Sequence, residues 1–149
     1  MSALAAAAPA VASALALVLL LHYLGAAASG WRGIRRRHPE GASHPGQTFA
    51  RVFTVFGAGV RSRSYYARVF AGDDGVHIRA PWYVRPFHSP LAIPWSSITS
   101  MGGARYLQRD VETFRVDGRE RLALGAEAPV VREIVRRVPF DSESTYVVR

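Results

Sequence analysis

No cysteine occurs in the 149 residues, which excludes disulfides, thiolate metal sites and a cysteine nucleophile and suits a reducing compartment. Lysine is missing as well: all 19 basic residues are arginine. None of them falls among the first ten residues or interrupts the run from Ala3 to Ala28. The five histidines show no pair at metal-ligand spacing on a single element. Gly-x-Ser-x-Gly is lacking, and Gly57-Ala58-Gly59 has neither the following helix nor the spacing of a dinucleotide loop. With no visible catalytic apparatus, the sequence points away from an enzyme and calls for no cofactor or metal.

What is present begins with the run Ala3 to Ala28, in which Ser13, His22 and Tyr23 are the polar exceptions, followed by Trp31, Arg32, Arg35, Arg36 and Arg37. About 25 helical residues at 1.5 Å each reach ~37 Å, enough to cross a ~30 Å hydrocarbon layer with some tilt. The stretch from Val11 to Leu21 is apolar all round, unlike a helix that lies in the interface plane. Cationic residues only on the C-terminal flank give an orientation by the positive-inside rule. The N-terminus goes outside, and everything after Trp31 faces the cytoplasm at the inner (plasma) membrane. The rival reading is a secretory signal cleaved near Ala28, since Ala26-Ala27-Ala28-Ser29 has small residues suited to a peptidase. That would leave a secreted or periplasmic β-domain. A signal peptide wants its positive charge before the apolar core, and here the charge comes after it.

The net charge is +8. Exclusive use of arginine has a bland origin in genome base composition, but guanidinium groups also hold phosphates in a bidentate fork, so a basic surface held against anionic lipid is attractive. Nucleic acid is not an expected partner, because the arginines are scattered and the domain is tethered to a bilayer.

The organisation reads as residues 1–30 for the transmembrane helix with its short N-terminus, 31–45 for a basic and mobile juxtamembrane linker, 46–140 for one small domain, and 141–149 for a tail. In the linker, Arg32 to Arg37 is expected among the lipid headgroups. After Gly46 the apolar period changes. Gln47–Phe56 alternates as a first strand, and Tyr65–Ala71 and Val76–Ala80 make a hairpin around Gly72-Asp73-Asp74-Gly75. Pro81, Pro86, Pro90 and Pro94 bar helix and leave Leu91–Ile93 as a short strand. Ile98–Arg105, Asp110–Val116 and Arg119–Leu124 bring the count to about seven, with Asp117-Gly118 the strongest hairpin signal. Val130, Val131, Ile134, Val135 and Val138 then recur at helical spacing behind Pro129, with Arg136 and Arg137 in the last turn and Pro139 as the stop.

Asp74-Gly75-Val76-His77-Ile78-Arg79, a bent proline- and aromatic-rich connection, and Leu91-Ala92-Ile93-Pro94-Trp95-Ser96-Ser97-Ile98 resemble the pattern of bacterial PH-like (pleckstrin-homology) and GRAM-like domains. The resemblance covers roughly residues 47–138. It implies a mainly-β PH-like barrel of about seven strands, capped by a C-terminal α-helix and preceded here by one transmembrane helix. It carries over no ligand residues. Trp95 is expected to plug an open barrel end, with Ile93 and Ile98 in the core.

Two loops are candidates for binding. The first, at Arg61, Ser62, Arg63 and Ser64, surrounds a phosphate if it is more than a solvated hairpin loop, and in pleckstrin-like folds the corresponding loop often holds phosphoinositides. The second, with Trp82, Tyr83, Arg85 and Phe87, places aromatic and cationic groups together, as suits a bilayer interface, a protein partner or a barrel corner. His22 and Tyr23 read as interfacial anchors. Expected partners are the bilayer through residues 4–28, a membrane-protein partner that pairs with an exposed strand edge, and an anionic lipid.

Overall fold

The computed structural model describes residues 3–39, 48–57 and 62–141. An α-helix, α1 (Ala3–Ala28), leads into a short second helix, α2 (Trp31–Arg37). Seven strands follow: β1 (Ala50–Phe56), β2 (Arg63–Ala71), β3 (Gly75–Arg79), β4 (Leu91–Pro94), β5 (Ile98–Tyr106), β6 (Arg109–Val116) and β7 (Glu120–Gly125). The last helix is α3 (Pro129–Arg137). The strands form one curled antiparallel sheet in the order β4-β3-β2-β1-β7-β6-β5.

Alternation places the side chains. In β1, Val52, Thr54 and Phe56 point into the main core with Val69, Ile78, Leu91, Ile93, Phe114, Leu122 and Leu124, while α3 covers it with Val131, Ile134 and Val138. On the opposite face Phe53, Val55 and Val111 make a second, smaller apolar cluster beside Tyr66 and Tyr106. Both faces of β1 are thus apolar, as its sequence has no polar face to offer.

The turns follow local chemistry. Gly72–Gly75 closes β2 onto β3 through a Gly72 N–H to Gly75 carbonyl bond of 2.8 Å. No side chain fits at Gly75, whose Cβ would run into the Ile93 carbonyl of β4. Asp117 and Gly118 both take positive φ (50° and 68°) in the β6–β7 turn, the type I′ geometry that matches strand twist. Leu107 and Gln108 do the same (47° and 60°) between β5 and β6 without a glycine to announce it. Pro94 sits on the edge strand β4, where its missing donor costs least. Half-buried Trp95 donates from Nε1 to the carbonyls of Gly72 (3.1 Å) and Asp73 (3.0 Å) and lies under the Arg137 guanidinium, so it locks the β2–β3 turn as a packing residue.

One segment departs from the sequence expectation. Trp31 to Arg37 is not a loose connection but helix α2, with Trp31 and Ile34 fully buried in the main core. Residues three apart share a helix face, and this pair supplies the apolar stripe that the surrounding arginines obscure. Trp31 packs edge-on against Phe56 (4.4 Å between ring centroids) and donates from Nε1 to the Ser89 carbonyl at 3.0 Å. Gly30, at φ +82°, turns the chain between α1 and α2. The remainder of the expected linker, 40–45, lies outside the described residues, as do Gln47 of the expected first strand and the tail from 142.

Candidate functional site

α1 contains an 18-residue stretch, Ala8–Gly25, of mean hydropathy 1.8 without a charged side chain, long and apolar enough to cross a membrane. Val11, Leu15, Leu17, Val18, Leu19, Leu20 and Leu21 are all exposed, so apolar surface points outward in every direction along its middle. Among the described side chains, contacts with the β-module are made at the C-terminal end, at Leu21, His22, Tyr23 and Gly25.

That contact brings the two sequence-predicted loops together. Phe87 of the β3–β4 connection packs against Tyr23 edge-on (6.4 Å) and against His22 (6.3 Å) of α1. Arg63, at the start of β2, extends its guanidinium to the α1 backbone, where Nη2 lies 3.5 Å from the Leu21 carbonyl and the bare Cα of Gly25 leaves room for it. Arg32 covers the Tyr23 ring at 3.8 Å. Tyr83 lines the cleft at this junction and meets Trp82 edge-on at 5.9 Å, the two rings being 55% and 78% exposed. Arg85 donates to the Ala80 carbonyl at 3.2 Å and holds the loop's entry.

Of the first candidate loop, Arg61 lies outside the described residues. Ser62 bonds the Tyr106 hydroxyl at 2.9 Å. Arg63 and Ser64 are exposed strand residues of β2 rather than loop residues, and both line a cleft of about 160 Å³ between α1 and the module, with His22, Tyr65, Tyr83 and His88 among the other walls.

The arginines proposed to set topology divide. Arg36 is exposed, and half-buried Arg35 has an Nη1 with no protein partner. Arg37 turns away to the module, donating to Asp117 at 2.6 Å and to Glu120. Those bonds, Glu120 first and Asp117 second, raise the Arg37 pKa further. Burial pushes the Asp117 carboxyl up, but hydrogen bonds from Arg37 and His38 outweigh it and hold the group below its ordinary range. His38 meets that carboxylate at 2.9 Å.

His88, on the connection between β3 and β4, is only 3% exposed. Burial in an apolar wall lowers its pKa to about 4, so the ring is neutral near pH 7. Its Nδ1 lies 3.3 Å from the Val84 carbonyl, which makes Nδ1 the donor and leaves Nε2 as a bare acceptor with no protein partner. The neighbouring Tyr65 hydroxyl also has none, and burial, followed by repulsion from Tyr83, raises its pKa far above the usual phenol value.

Among the described residues no group of three or more His, Asp or Glu side chains is placed to hold a metal ion. Fold and site together define a chain in which one apolar helix is seated by its C-terminal end on a small curled β-module. Compared with protein families, curated proteins and solved structures, the chain matches none.

Proposed function

We propose that this chain is a non-enzymatic, single-pass membrane protein whose PH-like module is held against the cytoplasmic surface of the inner membrane as a membrane-surface-binding adaptor. The observation that carries this reading is the seating of Phe87 and Arg63 on the last turns of α1. If Ala8–Gly25 spans the hydrocarbon layer, the contacts at Leu21, His22 and Tyr23 bring the β3–β4 connection to headgroup depth. Exposed Trp82 and Tyr83 then meet the interface that amphipathic aromatic rings prefer. Arg32, Arg36 and Arg63 supply the positive flank. Cleavage at Ala28 would strip away the helical turns on which Phe87 and Arg63 rest, which favours the anchored form over a secreted one.

The absence of cysteine gives a clean background for single labels. Trp82→Cys carrying a nitroxide, in full-length protein reconstituted into vesicles, is expected to be relaxed by oxygen and protected from a water-soluble nickel complex. The same label at Asp73, beyond the other end of β2 and about 30 Å from Arg63 by strand rise, is expected to remain aqueous. An inserted protein with an aqueous label at position 82 would overturn the surface-docked reading and return the loop to a protein partner. Orientation is read separately: an impermeant maleimide should reach Asp73→Cys in cells only after permeabilisation.

A further inference from the structure

β1, β2 and β3 set three arginines side by side on the outer face of the sheet. Arg51 is paired with Arg68, and Arg68 with Arg79, in the antiparallel register, so all three side chains leave the same face at strand-to-strand spacings of about 4.8 Å. Directly opposed like charges weaken a sheet, and stability alone gives no reason for the row. Arg51 lies over the Tyr66 ring at 4.8 Å and Arg79 over the Phe49 ring at 4.4 Å, which fixes where the guanidiniums stand without neutralising them. Arg51 and Arg68 are exposed. Among the described residues no carboxylate pairs with Arg51, Arg68, Arg79 or Arg85.

The row borders the largest cavity described on the module. Exposed Arg85, from the β3–β4 connection, joins Arg51 and Arg68 around a space of about 420 Å³ that no acidic residue lines. Arg85 spends its Nε on the Ala80 carbonyl, which leaves its Nη groups for a ligand. Tyr83, shared with the cleft at α1, closes the side nearest the anchor.

Position and shape separate the anions that such a surface could take. Arg68 lies about 17 Å by strand rise beyond Arg63, the β2 residue that touches α1, and this is roughly twice the ~8 Å Debye length at physiological ionic strength. With α1 across the bilayer, the row therefore faces cytoplasmic water rather than lipid phosphates. It spans about 10 Å over three strands, without the long basic stripe that a nucleic-acid backbone follows, and its charges stand in a line rather than around one phosphate. Carboxylates at alternate positions of an extended peptide are about 6.8 Å apart, a spacing that flexible arginine side chains in this row can meet.

We propose that the row and its cavity bind an extended acidic peptide segment of a protein partner, with carboxylates received by Arg51, Arg68 and Arg85 and the track extended by Arg79. The choice of a peptide over lipid rests on the reading that α1 crosses the bilayer.

The test uses the full chain in phosphatidylcholine nanodiscs and, in parallel, in micelles, with a fluorescein-labelled peptide of alternating glutamate and serine as the probe, read by anisotropy. Wild-type protein is expected to bind it, and Arg51→Gln combined with Arg68→Gln to weaken binding about tenfold or more. That variant relieves opposed charges, so its melting transition should not fall. Arg85→Gln, outside the sheet, should weaken binding by a smaller factor on its own. Arg132→Gln combined with Arg136→Gln, at exposed positions of α3, removes the same charge elsewhere and should leave binding unchanged. A wild-type chain that ignores the peptide, or an equal loss in the two paired variants, overturns the proposal. So does displacement by millimolar inorganic phosphate at constant ionic strength, which would assign the row to a small anion. In discs made anionic with phosphatidylglycerol, a nitroxide at Arg79→Cys should stay open to the water-soluble nickel complex, and protection there would overturn the proposal by handing the row to the bilayer. Flotation with vesicles separates the two levels: protein that floats but does not bind the peptide loses the site and keeps the anchor, whereas protein that binds it in micelles without floating keeps the site and loses the anchor.

Discussion

His88 couples the interior of the module to pH. Its pKa falls from the ordinary 6.5 to about 4 on folding because burial disfavours the imidazolium. A depressed folded value means the unfolded chain binds the proton more readily, so stability is complete above pH 6.5, declines as pH drops toward 4, and reaches a floor below that. The full decline is on the order of 2–3 kcal/mol. Asp117 acts in the same sense but lower on the scale, because its depressed pKa erodes stability only below its ordinary 3.8. Urea unfolding of the full chain in micelles should therefore show a midpoint that falls between pH 6.5 and 4. In His88→Phe the fall should vanish in that window while the loss below pH 3.8 persists. A slope unchanged by the substitution would mean that other groups carry it.

Helix α2 joins anchor to module. Trp31 and Ile34 are buried to within 1% exposure, and Trp31 touches the rings of Phe56, Tyr65 and His88. Truncating such a side chain typically costs about 3–5 kcal/mol, so Trp31→Ala should lower the melting transition by more than Arg37→Ala. The latter removes partly exposed ion pairs to Asp117 and Glu120, worth roughly 1 kcal/mol or less. A chain starting at Ser29 should keep a cooperative thermal transition followed by circular dichroism, while one starting at Gly46 should lose it. Equal transitions would show that α2 is dispensable. The sequence made most elements legible because β1, β2, β3 and α3 each announce themselves by period, and Asp117-Gly118 by turn chemistry. It hid α2 because two apolar residues among four arginines and a glycine give too short a period to read, and what stabilises that helix is tertiary burial. It hid the Leu107-Gln108 turn because left-handed backbone normally signals itself through Gly, Asn or Asp. The candidate site was half legible: the aromatic and cationic residues stood out, but their convergence on Leu21, His22 and Tyr23 bridges about 40 to 65 residues of chain, which no local pattern encodes.

Across the whole molecule the decisive relation is between a helix with no charge from Ala3 to Ala28 and the sequence after it, in which every charged side chain lies. A flexible joint would let thermal motion average the module's orientation, and its aromatic loop would meet the bilayer only intermittently. The structure holds the two parts by three independent ties: the α2 side chains in the core, the Phe87 rings-on-ring contact with His22 and Tyr23, and the Arg63 and Arg32 guanidiniums on α1. Gly30 is the natural pivot, since its left-handed φ of +82° is the one break in helical backbone between α1 and α2 that relies on glycine. Spin labels at Leu17→Cys and Asp73→Cys should accordingly give a narrow distance distribution in wild-type background. Phe87→Ala combined with Arg63→Ala removes two ties without touching the main core, so the distribution should broaden while the melting transition shifts little. A broad distribution already present in the otherwise unaltered chain would show that the ties do not hold in a bilayer. The module would then be a tethered domain that samples the surface, and the exposure of Trp82 and Tyr83 would have to be explained by a partner that comes to them.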